Sequence, residues 1–399
     1  MVAGQGAHGP AVPGSAGELL RLVRTGRARS RTDLVALTGS SRSTVSLRVE
    51  QLLRAGLVTE NGHAGSTGGR PARLLGLAQD AGCVLAVDLG VTSADVAVTD
   101  LAGTVLAETS APVRVDDGPE PVFAQLGELT DRVLRAAGRA RTDLRAAGVG
   151  VPGPVEHATG RLVHPPVMPG WHDVLVPQAF PYVDGPVLVD NDANVMAAGE
   201  LGEHPGVGGD FLVVKIGTGI GCGIVLGGRV YRGTDGSAGD VGHVHVPDDR
   251  HVVCRCGNES CLEALAGGAA LARDARAAGL DVHEARDVVE LVLRADPRAL
   301  ALVRDAGRRI GEVLAQLVNF FNPERIVVTG GVSHAGNPLL AGIREAVYRR
   351  ALPLAARDLD ITISSLGERA GRVGAARMAL DAYFEPQRVD VLLGEAVTR

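Results

Sequence analysis

The chain has 399 residues, enough for two or three domains rather than one. With 45% apolar and 22% charged residues, and no apolar run near the roughly 18 residues of a membrane span, it reads as a globular protein that stays off the membrane. Its net charge of −6 excludes wholesale nucleic-acid binding, yet residues 1–75 hold ten arginines against Glu18, Asp33, Glu50 and Glu60, so a basic head precedes an acidic body.

Residues 1–17, rich in Gly, Ala and Pro, lack the basic start and apolar centre of a signal peptide. They are expected to form a disordered arm on a cytoplasmic protein, where thiols stay reduced. From Glu18 to Arg24, Leu19, Leu20 and Val23 fall at helical spacing. A second short helix is expected over Thr32–Leu37 with Thr32 as cap, Gly39 supplies a turn, and Ser41 caps a third helix from Arg42 to Ala55. Val45, Val49, Leu52 and Leu53 make one apolar stripe there, and Gly56 ends the helix. Leu57-Val58-Thr59 starts a strand, and the glycines from Gly62 to Gly69 suit a wing tip.

This is the plan of a winged helix-turn-helix, over residues 18–76. The stripe leaves Arg42, Ser43, Thr44 and Arg48 on or near the open face at the start of the third helix, the end that enters a major groove of double-stranded DNA. Arg70, in Gly68-Gly69-Arg70-Pro71, suits a narrow minor groove, although a plain linker explains the same letters. The alternative for the whole head is a helical protein-docking module, which the charge sign and the wing oppose.

The body opens at Cys83 with VLAVDLGVTSADVAVTDLAGTVLAE, a strand, glycine turn, strand, glycine turn, strand. From Phe211 the grammar recurs as FLVVKIGTGIGCGIVLGGRVYRG. Two lobes each opening on such a hairpin characterise the actin/hexokinase-like (ribonuclease H-like) α/β ATPase fold, in which the first turns face a nucleotide across a cleft. Asp88, Gly90 and Thr92 are the nucleotide-side candidates of the first turn, with Asp88 set to hold magnesium through water. Gly217, Thr218 and Gly219 belong to the second turn, and Gly330 and Gly331 follow the buried strand 326–329. Tight turns account for any one of these pairs taken singly.

Asp190-Asn191-Asp192-Ala193-Asn194 ends another apolar strand and opens an Ala-rich helix. Such a cluster can bond sugar hydroxyls, and Asp192 is placed to take a proton from a hydroxyl attacking a γ-phosphate; N-capping is the plainer reading. Cys254, Cys256 and Cys261, with His243 upstream, make a Cys₃His set for tetrahedral structural zinc, against coincidental thiols. Cys83 and Cys222 read as buried and unreactive.

Taken together, residues 18 to 380 resemble the ROK family of repressors, open reading frames and kinases. The resemblance rests on Gly148–Val155 (GVGVPGPV), Pro169-Gly170-Trp171, Gly236–His243 (GSAGDVGH) and Cys254–Glu263 (CRCGNESCLE). It implies that Asn191, Asp192, Asp240, His243 and Glu263 touch a sugar, that His243 also binds zinc, and that the chain forms a homodimer or homotetramer. Three positions depart from the family pattern: Asp240 replaces Glu, Val91 and Ser93 replace the Gly and Lys of the kinase phosphate loop, and Ser260 replaces Gly, a change expected to be harmless. The expected function is a sugar-responsive repressor of carbohydrate genes bound to operator DNA. The alternative is an ATP- and magnesium-dependent hexose or N-acetylhexosamine kinase that keeps a DNA-binding head. Lobe one is expected at 80–195, lobe two at 196–375, and a C-terminal helix and tail at 376–399.

Overall fold

The structure is a computed structural model that describes residues 12–63, 73–203 and 209–397. Three short helices open it: α1 (Ala16–Arg24), α2 (Arg31–Thr38) and α3 (Arg42–Arg54). Each begins on a serine. The hydroxyl oxygens of Ser15, Ser30 and Ser41 accept from the amides of Glu18, Asp33 and Thr44 at 3.3, 3.2 and 3.1 Å. The cap of α2 is therefore Ser30 and not Thr32, because Ser30 is the residue still extended before the first helical turn. Residues 12–17 are likewise not part of a disordered arm: Ser15 caps α1, and Ala16 and Gly17 are buried. Residues 1–11 lie outside the described residues.

Strands β1 (Val58–His63) and β2 (Arg73–Leu77) pair antiparallel beside these helices. The expected wing tip beyond His63, and Arg70 with it, lie outside the described residues. Arg31 ties α2 to Glu50 of α3 at 2.7 Å and to Glu60 of β1, while Arg73 of β2 reaches Glu60 at 2.8 Å. Two of the head's arginines thus brace the fold instead of facing a partner.

Lobe one follows with β3 (Cys83–Leu89), β4 (Ser93–Asp100), β5 (Val105–Pro112), α4 (Pro119–Ala136) and β6 (Leu144–Val151). The short pair β7 (Val155–Glu156) and β8 (Arg161–Leu162) precedes β9 (Val187–Asn191), which leads into α5 (Asp192–Glu203). The sheet order is β5-β4-β3-β6-β9, antiparallel through β3 and parallel beyond it. Lobe two repeats the plan. Its strands are β10 (Phe211–Ile216), β11 (Ile220–Leu226), β12 (Arg229–Tyr231), β13 (Arg325–Thr329) and β14 (Asp360–Ile363), ordered β12-β11-β10-β13-β14. The glycine-punctuated repeat in the sequence is therefore a duplicated five-stranded sheet, the actin/hexokinase-like arrangement expected from it.

Between β12 and β13 run α6 (Leu262–Ala266), α7 (Gly268–Ala277), α8 (Ala285–Leu293) and the long α9 (Pro297–Phe321). α10 (Asn337–Arg350) packs along α9, and α11 (Pro353–Ala356) precedes β14. α12 (Ala370–Tyr383) then crosses back to lobe one, against β3, β6 and α5. Its approach demands small residues: a Cβ on Gly374 would stand 1.8 Å from the Val195 carbonyl oxygen. A boundary at 375/376 falls inside this helix, so the second lobe and the tail are not separable there. The last helix, α13 (Pro386–Val397), packs on α1. Leu19, Leu20 and Leu52 of the head share one buried cluster with Val84, Leu101, Ala146, Phe384, Val389 and Leu393 of the body. Among the described residues no helix is long and apolar enough to cross a membrane.

Candidate ligand cleft, metal centre and DNA-facing helix

At the start of α3, Arg42, Ser43 and Thr44 are exposed, and Leu47 beside them is 55% exposed. The hydroxyls of Ser43 and Thr44 each meet Ser41 Oγ at 2.8 Å, so both hang from the cap. Arg48 behaves differently from the expectation. It is half-buried, donates to Gln51 Oε1 at 3.0 Å along its own helix, and has a buried Nε without a partner.

A cavity of about 880 Å³ opens between the lobes. Lobe one contributes Gly90, Val91 and Thr92 to its wall, and the junction contributes Asn191 and Asp192. Lobe two adds Gly217, Thr218 and Gly219, the loop residues Asp240 and His243, Glu263 of α6, and Gly331. The sugar-side and nucleotide-side candidates thus converge, with two exceptions. Gly330 lies against the backbone of Ile216, where a Cβ would come within 2.6 Å of its carbonyl oxygen, so its lack of a side chain serves sheet packing. Asp88 sits under the first turn and is 8% exposed. Burial pushes its carboxyl up to about 7, with Lys215 opposing that rise and Asp192 and Asp95 adding to it.

The polar cluster divides its work. Asn191 Oδ1 accepts from the Ala193 amide at 2.9 Å, and its Nδ2 donates to the Gly153 carbonyl at 3.2 Å, so capping and loop-tying use both ends of the amide. Asp190, 1% exposed, accepts from Arg232 Nε at 2.6 Å and from Asn194 Nδ2 at 3.0 Å. Since Asp190 lies one residue before the end of β9 and Arg232 follows β12, this ion pair, buried on its Asp190 side, bridges the lobes. Glu263 Oε2 accepts from the Ile220 amide at 3.1 Å, and a Cβ on Gly219 would stand 2.0 Å from that oxygen. Gly219 therefore admits a carboxylate, a use beyond the phosphate cradle expected of it.

Asp192, 5% exposed, is ion-paired with Lys215 Nζ. Burial works against the Lys215 charge, but Asp192, Asp88 and Glu263 outweigh it and hold the ammonium above its ordinary range. Sequence reasoning missed this residue, although a signal existed: of 40 lysine and arginine residues, Lys215 alone is lysine. A magnesium-bound nucleotide does not fit these groups. The acid expected to be its base is ion-paired through Oδ2 with Lys215, and the acid expected to hold the metal is buried beneath the turn, where burial disfavours its charged form.

The metal centre fits its donor set. A ring nitrogen of His243 and the sulfurs of Cys254, Cys256 and Cys261 all lie within 4.8 Å of one another. The Cys254 Sγ–His243 Nδ1 and Cys256 Sγ–Cys261 Sγ separations are both 3.7 Å, close to the edge of about 3.8 Å that a tetrahedron with ~2.3 Å metal–sulfur bonds requires. No disulfide forms among these thiols. Ligation through Nδ1 leaves Nε2 as the ring's remaining polar atom, on a residue that lines the cleft. The loop between His243 and Cys254 is anchored by Asp248, whose carboxyl is held well below its usual range by Arg250 at 2.9 Å and by Arg309 of α9 at 2.7 Å. Ser260, inside the loop and 2% exposed, has φ +56°, a conformation that glycine adopts without strain. The substitution there is not harmless to the backbone.

Comparison with known proteins supports both halves. A xylose repressor from Caldicellulosiruptor bescii is 29% identical over 91% of this chain and 94% of its own length. A glucokinase from Halalkalibacterium halodurans is 34% identical over 72% of this chain and 92% of its own length. Among solved structures, a ROK family transcriptional regulator described as a homologue of the E. coli MLC protein has a TM-score of 0.78 at 25% identity, covering 95% of this chain and 98% of that one. A ROK family glucokinase from Streptomyces griseus, in complex with glucose and AMPPNP, has a TM-score of 0.66 at 30% identity, covering 75% of this chain and 99% of that one. The kinases match a share the size of the body alone, whereas the repressor and the regulator extend over the head. The ROK family model itself matches residues 84–382, and the chain belongs to the ROK family.

Proposed function

We propose that the protein is a sugar-responsive DNA-binding repressor of carbohydrate-metabolism genes. One observation carries this reading: the exposed start of α3 and the hydroxyl-binding cleft belong to parts of the chain joined by a continuous apolar cluster. Arg42, Ser43 and Thr44 are the groups that read the major groove, and Arg48 supports them from within the helix. Two copies related by a two-fold axis would read an inverted repeat. The Cys₃His set is a structural zinc site, in which zinc supplies cross-linking of the loop and fixes His243 beside Asp240 and Glu263 at the sugar. A sugar acts by binding the DNA-free arrangement of the lobes more tightly than the DNA-bound one.

A gel shift on DNA upstream of its own and neighbouring genes, with and without xylose, glucose and N-acetylhexosamines, tests the reading. A salt-sensitive specific complex that a sugar dissolves is the expected result, and no specific complex at any such site would overturn it. Arg42→Ala is expected to weaken specific binding by about 10-fold to 100-fold and leave sugar-induced thermal stabilisation unchanged. The kinase reading has the cleft-lining turn Gly217–Gly219 in its favour, and the Lys215–Asp192 pair and the Glu263 carboxylate beside Gly219 against it.

A further inference from the structure

We infer that Lys215 is a resident cation standing in place of nucleotide-bound magnesium, so that the cleft receives an uncharged sugar alone, takes no magnesium-nucleotide and transfers no phosphoryl group. The inference rests on the reading that a sugar enters this cleft. Lys215 lies on β10, two residues before the turn Gly217–Gly219 that would face a nucleotide's phosphates. Its ammonium is paired with Asp192, and the carboxyls of Asp88 and Glu263 act on it as well. Three acids from β3, α5 and α6 therefore converge on one positive charge.

Phosphoryl transfer to a sugar needs a carboxylate lone pair for the hydroxyl proton and a divalent cation against the phosphates. An ammonium bound to Oδ2 of Asp192 takes one of its two oxygens and lowers the proton affinity of the other. It also neutralises part of the negative field that would draw magnesium, and repels a second cation from the same space. The choice of residue fits this role. Arginine serves at all the chain's other basic positions, but its planar five-donor fork suits carboxylates and phosphates it can grip from the side. A compact point charge suits a narrow space among several oxygens. Sugar hydroxyls keep other partners in this arrangement, because Asp240, His243 and Glu263 line the cleft beside the pair.

Calorimetry on the full-length protein tests the inference, titrating glucose or xylose, then magnesium-ATP into the sugar-saturated sample. The wild type is expected to take up sugar, to give no nucleotide heat up to millimolar concentration, and to release no ADP. Lys215→Met is expected to gain at least tenfold in magnesium-ATP affinity, while Lys215→Arg stays silent. Sugar-dependent ADP release by the wild type, or a folded Lys215→Met with unchanged nucleotide affinity, would overturn the inference. Should Lys215→Met fail to fold, protein labelled with ¹⁵N-lysine supplies a readout free of mutation, because it carries a single side-chain ammonium resonance. That resonance is expected to move with sugar and to ignore magnesium-ATP; movement with the nucleotide refutes the resident-cation role. The gel shift separates the two readings. Sugar that dissolves the DNA complex while the cleft also turns over ATP sinks this inference alone, whereas a nucleotide-silent cleft whose sugar leaves DNA binding untouched sinks the repressor reading alone.

Discussion

The two lobes share one strand order, yet they hold their sides of the cleft by different means. Lobe one closes with apolar packing. Every residue of β3 is buried, and Trp171, fully buried, sets its indole edge-on to Phe123 at 5.1 Å while its Nε1 donates to the Val115 carbonyl at 2.8 Å. Lobe two adds to its wall Asp240 and His243 from the segment 240–261, where regular structure shrinks to the single turn Val241–His243. There the Cys₃His set and the Asp248–Arg309 ion pair supply what aliphatic side chains supply opposite. The lesson is that a segment too polar and glycine-rich to form a core can still present a defined surface, provided side-chain chemistry fixes its ends.

The harshest test of that contrast is to remove the metal. Chelation, or Cys261→Ser, is expected to cost several kcal/mol and lower Tm by roughly 10 °C. Trp171, the only tryptophan, lies in lobe one and should keep its native emission at 25 °C. An emission shift on chelation at that temperature would mean that the lobes do not close independently.

Next comes pH. Asp88 has its folded-state carboxyl raised to about 7 against an ordinary 3.8, so the neutral acid favours the fold. That contribution is fully present below the ordinary value and is lost as pH rises through about 7. The wild type should therefore lose stability relative to Asp88→Asn between about pH 4 and 7, by about 1 kcal/mol per pH unit, and run parallel above that range. Parallel melting curves across the whole range would show that Asp88 stays ionised.

Glycine substitutions sharpen the comparison further. A Cβ on Gly371 of α12 would lie 1.7 Å from Asp88 Oδ2 beneath lobe one, whereas one on Gly331 in lobe two meets nothing within 4 Å. Gly371→Ala should cost about 1–3 kcal/mol in chemical denaturation, and Gly331→Ala within about 0.5 kcal/mol of zero. Similar losses in the two would contradict the packing described. A modest gain is expected at Ser260, where Ser260→Gly should raise stability by about 1 kcal/mol through relief of its positive φ.

Much of this was legible in the chain itself, for reasons that differ by region. Both sheets announced themselves because glycine turns punctuate runs of buried β-branched residues, and the metal centre because three cysteines and a histidine fall in a short span. The α3 stripe was visible in Val45, Val49 and Leu52, all buried. Other features depend on distant partners. Arg232 has no motif of its own, and its meeting with Asp190 follows only from the way the lobes fold together. The tail could not be placed because α13 is amphipathic without naming what covers it; α1 does so from the opposite end of the chain. Arg48 looked free by helical position, yet half of it is spent along its own helix. Lys215 was overlooked for a different reason, since a single residue type standing out among arginines is a compositional oddity and not a pattern.

The meeting of α1 and α13 has a mechanical consequence. Gly17 donates its amide to Asp390 of α13 at 2.9 Å, and Arg24 reaches Asp381 of α12 at 2.7 Å, so the first helix is bolted to each of the last two as well as packed on them. A reader of DNA mounted in this way cannot swing on a tether. A shift of α12 or α13 therefore carries α1 with it, and the exposed start of α3 moves as part of the same apolar block.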